Sequence, residues 1–326
     1  MRDDPAPPAL PPVLLAGPTA VGKSAVALHL AELLGGEIVS VDSMQVYRGL
    51  NLGTAKPSPA EQARVPHHLV DVVELGEAFD AACFLRLAQA AVQDIQGRGR
   101  VPILCGGTGL YFSAWLNGLG EAPPPDLAVR TALEATPLPA LLLELEQSDP
   151  ETYSRIDRQN PRRVVRALEV IRLTGRPFSD QRAVWSPAAT SPSASFLWCL
   201  QRDPADLRQR ILVRVDAMFA AGLVTETELL LARGLERNRT ALQAIGYRQV
   251  VEHLHGERGL DETIALVKTK TWQFARRQGT WFRRQLPVEW VPLAVESEPL
   301  AVARELAGRW HARSAGNHLP ASGLVR

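Results

Sequence analysis

Short, mainly apolar runs mark the first strands of this chain. Val13-Leu14-Leu15-Ala16, Glu37-Ile38-Val39-Ser40-Val41, His68-Leu69-Val70-Asp71-Val72 and Val101-Pro102-Ile103-Leu104-Cys105 each read as a strand, the second as a buried one. Between them the apolar period lengthens. Ala25, Leu28, Leu30, Leu33 and Leu34 predict a helix after the first run. Residues 79–96 predict another, with Phe84, Leu87, Ala88, Ala91, Val92 and Ile95 inward and Gly97-Arg98-Gly99 as its stop. Strand alternating with helix predicts an α/β fold with a parallel sheet flanked by helices.

The pattern changes after Gly120. Glu121-Ala122-Pro123-Pro124-Pro125 marks a boundary, and helical periodicity without a strand follows. Ser186 to Ser195 is a second linker rich in Ser, Ala and Pro, after which Phe196-Leu197-Trp198-Cys199-Leu200 returns to strand composition. Helices are predicted from Pro204 to about Trp290. The plan is therefore a core of 13–120 and 196–314 interrupted by a helical insertion domain over 121–195, with disordered ends at 1–12 and 315–326.

Composition narrows the class. The chain has 326 residues, 46% hydrophobic and 22% charged, the profile of a soluble globular protein. No run is long enough for a membrane span, and the start lacks a signal-peptide pattern. Cys83, Cys105 and Cys199 are far apart and have no metal-ligand spacing, so a cytoplasmic protein is expected. The net charge of +1 hides an asymmetry. Residues 1–150 carry 9 basic against 17 acidic side chains, and residues 151–290 carry 23 against 15. A basic half suggests a polyanionic partner, although 32 of the 36 basic residues are Arg and a compositional bias gives the same imbalance.

The candidate chemistry starts at Gly17-Pro18-Thr19-Ala20-Val21-Gly22-Lys23-Ser24. Strand, glycine-bounded loop and helix match G-x-x-x-x-G-K-[ST] in full, the phosphate loop of nucleotide-binding proteins. The loop amides and helix N-terminus face a phosphate chain, Lys23 adds a charge, and Ser24 is the candidate Mg²⁺ ligand. This makes the fold a P-loop NTPase-like one. Asp42, at the end of the second strand, shares the carboxyl rim of the sheet with that loop. It reads as a metal-site carboxylate, as a base for a second substrate, or as the cap of the next turn. The fourth strand carries no Asp or Glu, and ends in Gly106-Gly107-Thr108-Gly109, where Thr108 reaches the same rim.

Three further segments carry cations. Asn160-Pro161-Arg162-Arg163-Val164-Val165-Arg166 opens a helix whose apolar positions leave Arg162, Arg166 and Arg163 for another surface. Arg210 and Arg214 stand one turn apart, a spacing that suits forked hydrogen bonds to a diphosphate. On the helix around 267–282, Val267, Thr271, Phe274, Ala275, Trp281 and Phe282 share one side. Trp272 falls between Lys268 and Arg276, where it either stacks on a nucleotide base or packs under cation stems.

In order, GPTAVGKS at 17–24, SVDSMQVYRGLNLGTAKP at 40–57, PHHLVD at 66–71, GGTGLYF at 106–112, NPRRVVRALEV at 160–170, IGYRQ at 245–249 and KTKTWQFARRQGTWFRR at 268–284 resemble the tRNA dimethylallyltransferases, from about Val13 to Trp290. The resemblance implies transfer of dimethylallyl from its diphosphate to N6 of the adenosine 3′ of the anticodon, in tRNAs reading codons that begin with U. The phosphate loop would then hold a prenyl diphosphate, with Mg²⁺, Lys23 and Arg210 or Arg214 on its charge. Asp42 and Thr108 would serve the amine. Implied tRNA contacts are Asp42, Ser43, Met44, Gln45, Thr108, Arg130, Arg162, Arg163, Arg166, Gly246, Tyr247, Arg248, Gln249, Lys268, Trp272 and Arg276. A monomer engaging the anticodon stem-loop is expected. A small-molecule P-loop kinase explains 17–24 but leaves the basic half idle. A non-catalytic RNA-binding module explains the Arg and Trp pattern but not Asp42 and Thr108 on one rim.

Overall fold

The computed structural model describes residues 10–120, 122–181 and 196–316. The chain divides into two compact units, one formed by Met1–Leu116 with Pro187–Arg326 and the other by Asn117–Ser186. The ends expected to be disordered, and the Ser/Ala/Pro linker, lie wholly or mostly outside the described residues.

The larger unit begins with β1 (Val13–Ala16), α1 (Lys23–Leu34), β2 (Glu37–Val41), α2 (Pro59–Arg64), β3 (His67–His68), α3 (Ala81–Gly97), β4 (Pro102–Gly106) and α4 (Gly109–Asn117). The smaller unit holds α5 (Leu127–Glu134), α6 (Leu138–Ser148), α7 (Pro150–Arg155), α8 (Pro161–Thr174) and α9 (Phe178–Gln181). The larger unit resumes with β5 (Leu197–Arg202), α10 (Pro204–Ala220), α11 (Leu223–Ala232), α12 (Tyr247–Leu254), α13 (Leu260–Gln285), β6 (Glu289–Leu293) and α14 (Pro299–Gly316). Trp290, expected near the end of a helix, therefore lies in a strand.

The six strands form one parallel sheet in the order β3-β2-β4-β1-β5-β6. Unbroken apolar runs suit it because successive side chains enter opposite cores. Leu14, Val39, Val41, Leu104 and Leu197 pack into the cluster with Phe84, Phe112 and Phe282. Val13, Leu15, Ile38, Ile103 and Trp198 enter the other, with Leu30 of α1 and Leu306 and Trp310 of α14. A buried carboxylate sits in this frame. Glu37, 1% exposed, accepts from His68 Nε2 at 2.7 Å and from Arg98 at 2.5 and 3.0 Å. Burial opposes its charged form, but the bonds from His68 and Arg98 prevail and hold the carboxyl below its usual range.

The expected strand from His68 to Val72 is corrected. Only His67 and His68 pair with β2, because Leu69 and Asp71 take φ of 61° and 54° and turn the chain off the edge. The turn is held by Lys56, whose Nζ lies 2.5 Å from Asp71 Oδ1 and 2.9 Å from the Tyr47 carbonyl.

The smaller unit has its own core of Leu133, Leu141, Leu145, Val164, Val165, Ala167 and Leu168. Asp126 and Asp149 cap α5 and α7 through bonds to the amides of Val129 and Thr152. Glu169 is fully buried and accepts from Arg130 at 2.6 Å, from Arg166 at 2.8 Å and from the Asp126 amide at 3.1 Å.

Candidate active site

The chain leaves β1 through the phosphate loop and enters α1 at Lys23. Gly17 and Gly22 hold φ of 156° and 106°, and a Cβ on Gly17 would meet Val21 Cγ1 at 3.0 Å and the Leu200 carbonyl at 3.1 Å. Ala20 is also left-handed, at 64°, so the loop needs support from outside. Two side chains supply it. Thr19 N donates to Gln278 Oε1 at 2.9 Å. Arg202, whose side chain is 3% exposed, donates from Nε to the Val21 carbonyl at 2.9 Å and pairs with Asp206 at 2.8 Å.

Beside the loop is a cavity of about 370 Å³. Its polar lining includes Thr19, Lys23, Ser24, Asp42, Thr108 and Arg214, and its apolar lining includes Met44, Val215, Met218, Ile245 and Phe274. Burial, with Arg214 adding to it, lowers the Lys23 pKa against the pull of Cys105 and Asp42. Burial likewise lowers Arg214, and Asp42 opposes that. Cys105 faces the same space, but burial pushes its thiol up to about 11, which makes it an inert wall rather than a nucleophile.

Asp42 Oδ1 accepts from the amides of Met44 at 2.8 Å and Gln45 at 3.2 Å. These two bonds engage one carboxylate oxygen and fix the side chain at the cavity. Thr108 Oγ1 accepts from the Ser43 amide at 3.2 Å, so its hydroxyl proton remains for another acceptor. The cavity thus joins a phosphate cradle, the cations Lys23, Arg214 and Arg277, a held carboxylate and an apolar wall.

The structure separates the two arginines that the sequence left level. Arg214 lines the cavity, whereas Arg210 is absent from its lining and turns to Asp206 at 3.3 Å. Several of the expected RNA contacts also bond or pack within the chain. Tyr247 is fully buried; its hydroxyl accepts from the Gly53 amide at 3.1 Å and donates to Glu226 at 2.5 Å. Gln249 is 6% exposed and accepts from the Gly246 amide at 2.9 Å, closing the start of α12. Gln45 spends its amide on Ser40, Thr54 and Ala55, pinning the loop beside the cavity. Arg130 and Arg166 share Glu169, and Lys268 pairs with Asp216 at 2.6 Å. Trp272 is half-buried and packs against the second core cluster. Arg162, Arg163, Arg248 and Arg276 have exposed side chains. Phe274, expected on the buried stripe, is 37% exposed and lines the cavity.

Sequence reasoning missed Gln278. It lies on the buried side of α13, three residues after Ala275 and four before Phe282, and a polar residue on that stripe was the available signal. It also missed Arg202 and Glu226, which no local pattern singles out.

Residues 45–285 match the IPP transferase family. This chain belongs to that family. It is 49% identical over 282 residues to a tRNA dimethylallyltransferase of Halorhodospira halophila, covering 84% of this chain and 90% of the relative. It is 47% identical over 283 residues to tRNA dimethylallyltransferase 1 of Trichlorobacter lovleyi, covering 86% and 92%. The full-length tRNA isopentenylpyrophosphate transferase of Bacillus halodurans superimposes with a TM-score of 0.68 at 37% identity, over 94% of this chain and 99% of that one. A eukaryotic dimethylallyltransferase acting on tRNA shares the fold, with a TM-score of 0.73 at 24% identity over 96% and 81%. The IPP transferase match includes Thr108, Arg214 and Gln278, while the phosphate loop and Asp42 precede it.

Proposed function

We propose that this protein transfers the dimethylallyl group of dimethylallyl diphosphate to N6 of the adenosine 3′ of the anticodon, in tRNAs reading codons that begin with U. The observation that carries this reading is the mixed lining of one cavity. The phosphate loop, Lys23 and Arg214 suit a diphosphate, and Met218, Ile245 and Phe274 suit a short apolar chain attached to it. In the reaction the N6 lone pair forms a bond to the allylic carbon. The carbon–oxygen bond breaks, and its electron pair leaves with the diphosphate. Lys23 and Arg214 stabilise the charge that develops there. Asp42 accepts the proton that the amine sheds, and Thr108 holds the amine against it. The adenine leaves the anticodon-loop stack to reach them.

The donor set fits Mg²⁺. Among the described residues there is no cluster of three or more acidic, His or Cys side chains to cage a metal. Ser24 offers a single hard oxygen beside the phosphate loop, the arrangement in which Mg²⁺ keeps waters and phosphate oxygens as its other ligands. When bound, the ion supplies charge neutralisation for the leaving diphosphate. The exposed Arg162, Arg163, Arg248 and Arg276 are the proposed contacts to the tRNA backbone. No helix among the described residues is long and apolar enough to cross a membrane. We place the enzyme in the cytoplasm, acting as a monomer.

Nucleoside analysis tests this reading. Unmodified tRNA incubated with the protein, Mg²⁺ and dimethylallyl diphosphate should yield N6-dimethylallyladenosine next to the anticodon. Folded protein that leaves every adenosine unmodified would contradict it.

A further inference from the structure

Gln278 has no assigned part in the chemistry, yet its amide links the two loops that carry it. The side chain projects from α13 and is 8% exposed. Its Oε1 accepts from the Thr19 amide, inside the phosphate loop, at 2.9 Å. Its Nε2 donates at 2.9 Å to the carbonyl of Gly107, the residue before Thr108. The fit on the Gly107 side leaves no spare room. A Cβ there would lie 2.4 Å from Gln278 Nε2, whereas the next neighbour, the Gly17 carbonyl, would be 3.3 Å away. The neighbouring Ala20 is held in a left-handed conformation that a free chain disfavours.

Building on the proposed reaction, we infer that Gln278 is a positioning residue. Its amide sets the phosphate loop at a fixed distance from Thr108, and so aligns the diphosphate with the acceptor amine. A glutamine is needed because the two partners are opposite in kind. Thr19 presents a donor and Gly107 an acceptor, and only a primary amide answers both at this length. Glutamate keeps the first bond, sets an oxygen against the Gly107 carbonyl and places negative charge at the diphosphate cavity. Methionine keeps the volume and answers neither partner. The loss of one or both bonds lets the loop relax from the shape in which its amides converge on phosphate.

The test combines direct binding of inorganic pyrophosphate with steady-state kinetics in which tRNA and dimethylallyl diphosphate are varied separately. Gln278→Met and Gln278→Glu should weaken pyrophosphate binding and raise KM for the diphosphate about tenfold or more, with KM for tRNA changed by less than about threefold. Gly107→Ala should reproduce the defect by displacing the amide. In a Gln278→Ala background, the same Gly107→Ala change should cost little more, because the atom it collides with is gone. Variants that bind pyrophosphate like the parent overturn the inference. So do equal losses for both substrates, additive effects of the Gly107 and Gln278 changes, or a failure of all the variants to fold, since Gln278 would then serve the core. If the parent leaves tRNA unmodified, the proposed reaction fails, and the pyrophosphate measurements still decide the role of Gln278 in the loop.

Discussion

At the scale of single residues, the proposed transfer depends on which groups meet the leaving diphosphate and which meets the amine. Asp42 uses Oδ1 to hold the turn at Met44 and Gln45, so alanine would disturb the loop as well as remove the base. Asp42→Asn keeps an oxygen for that turn. It should lower turnover about 10²–10⁴-fold while pyrophosphate binding survives. Loss of Mg²⁺-dependent pyrophosphate binding in Asp42→Asn would make the carboxylate a metal-site group instead. Arg214→Ala should raise KM for the diphosphate about tenfold or more, since a charged hydrogen bond at a buried site is lost. Arg210→Ala breaks a half-exposed pair with Asp206 and should change KM by no more than about threefold. A reversed order in steady-state kinetics would reassign the diphosphate partner.

Lys23 adds a pH dependence whose sign follows from its burial. Its pKa lies below the ordinary lysine value of 10.5, and only the protonated form attracts diphosphate. Affinity should therefore be full below that lowered pKa and fall as pH rises through it. Lys23→Arg should remove this fall, because a guanidinium stays charged over the same range. Pyrophosphate titrations of both proteins read the difference. Identical pH profiles would show that Lys23 is not the titrating group.

At the scale of elements, the strands were legible and their continuation was not. Val13–Ala16 and Pro102–Gly106 are nearly wholly apolar because both faces are buried, and such runs announce themselves. His68 to Val72 looked alike in sequence. Its departure from the sheet depends on left-handed turns at Leu69 and Asp71, stabilised by the distant Lys56. Arg210 and Arg214 could not be ranked by spacing, since both lie on one side of α10 and only the packing around the cavity distinguishes them. The IGYRQ motif did not reveal that Tyr247 and Gln249 are buried and hold loops. A motif marks a residue without saying what it touches. Trp272 belongs to the same group. It packs against the core around α13, so Trp272→Ala should lower stability by about 1–3 kcal/mol. Denaturation together with tRNA binding decides this. Unchanged stability with weakened RNA binding would restore the stacking role.

At the scale of the whole molecule, the chain builds its candidate site within one of its two compact units and devotes the other to a separate helical core. The cavity gathers Lys23, Asp42, Thr108, Arg214 and Gln278 from segments spread across 256 positions of sequence, from 23 to 278. The sheet explains part of this gathering, because β1, β2 and β4 end on one rim. α10 and α13 supply the rest, and no rule of local sequence foretells where a later helix lays its side chains. In the proposed reaction the phosphate loop holds a leaving group and transfers no phosphoryl group. Single-turnover reaction of unmodified tRNA with dimethylallyl diphosphate labelled in both its allylic carbon and its phosphorus tests that most directly. The proposed reaction puts the carbon label in tRNA and the phosphorus label in free diphosphate, released together. Phosphorus label in the RNA, or carbon label that never leaves the diphosphate, would contradict it.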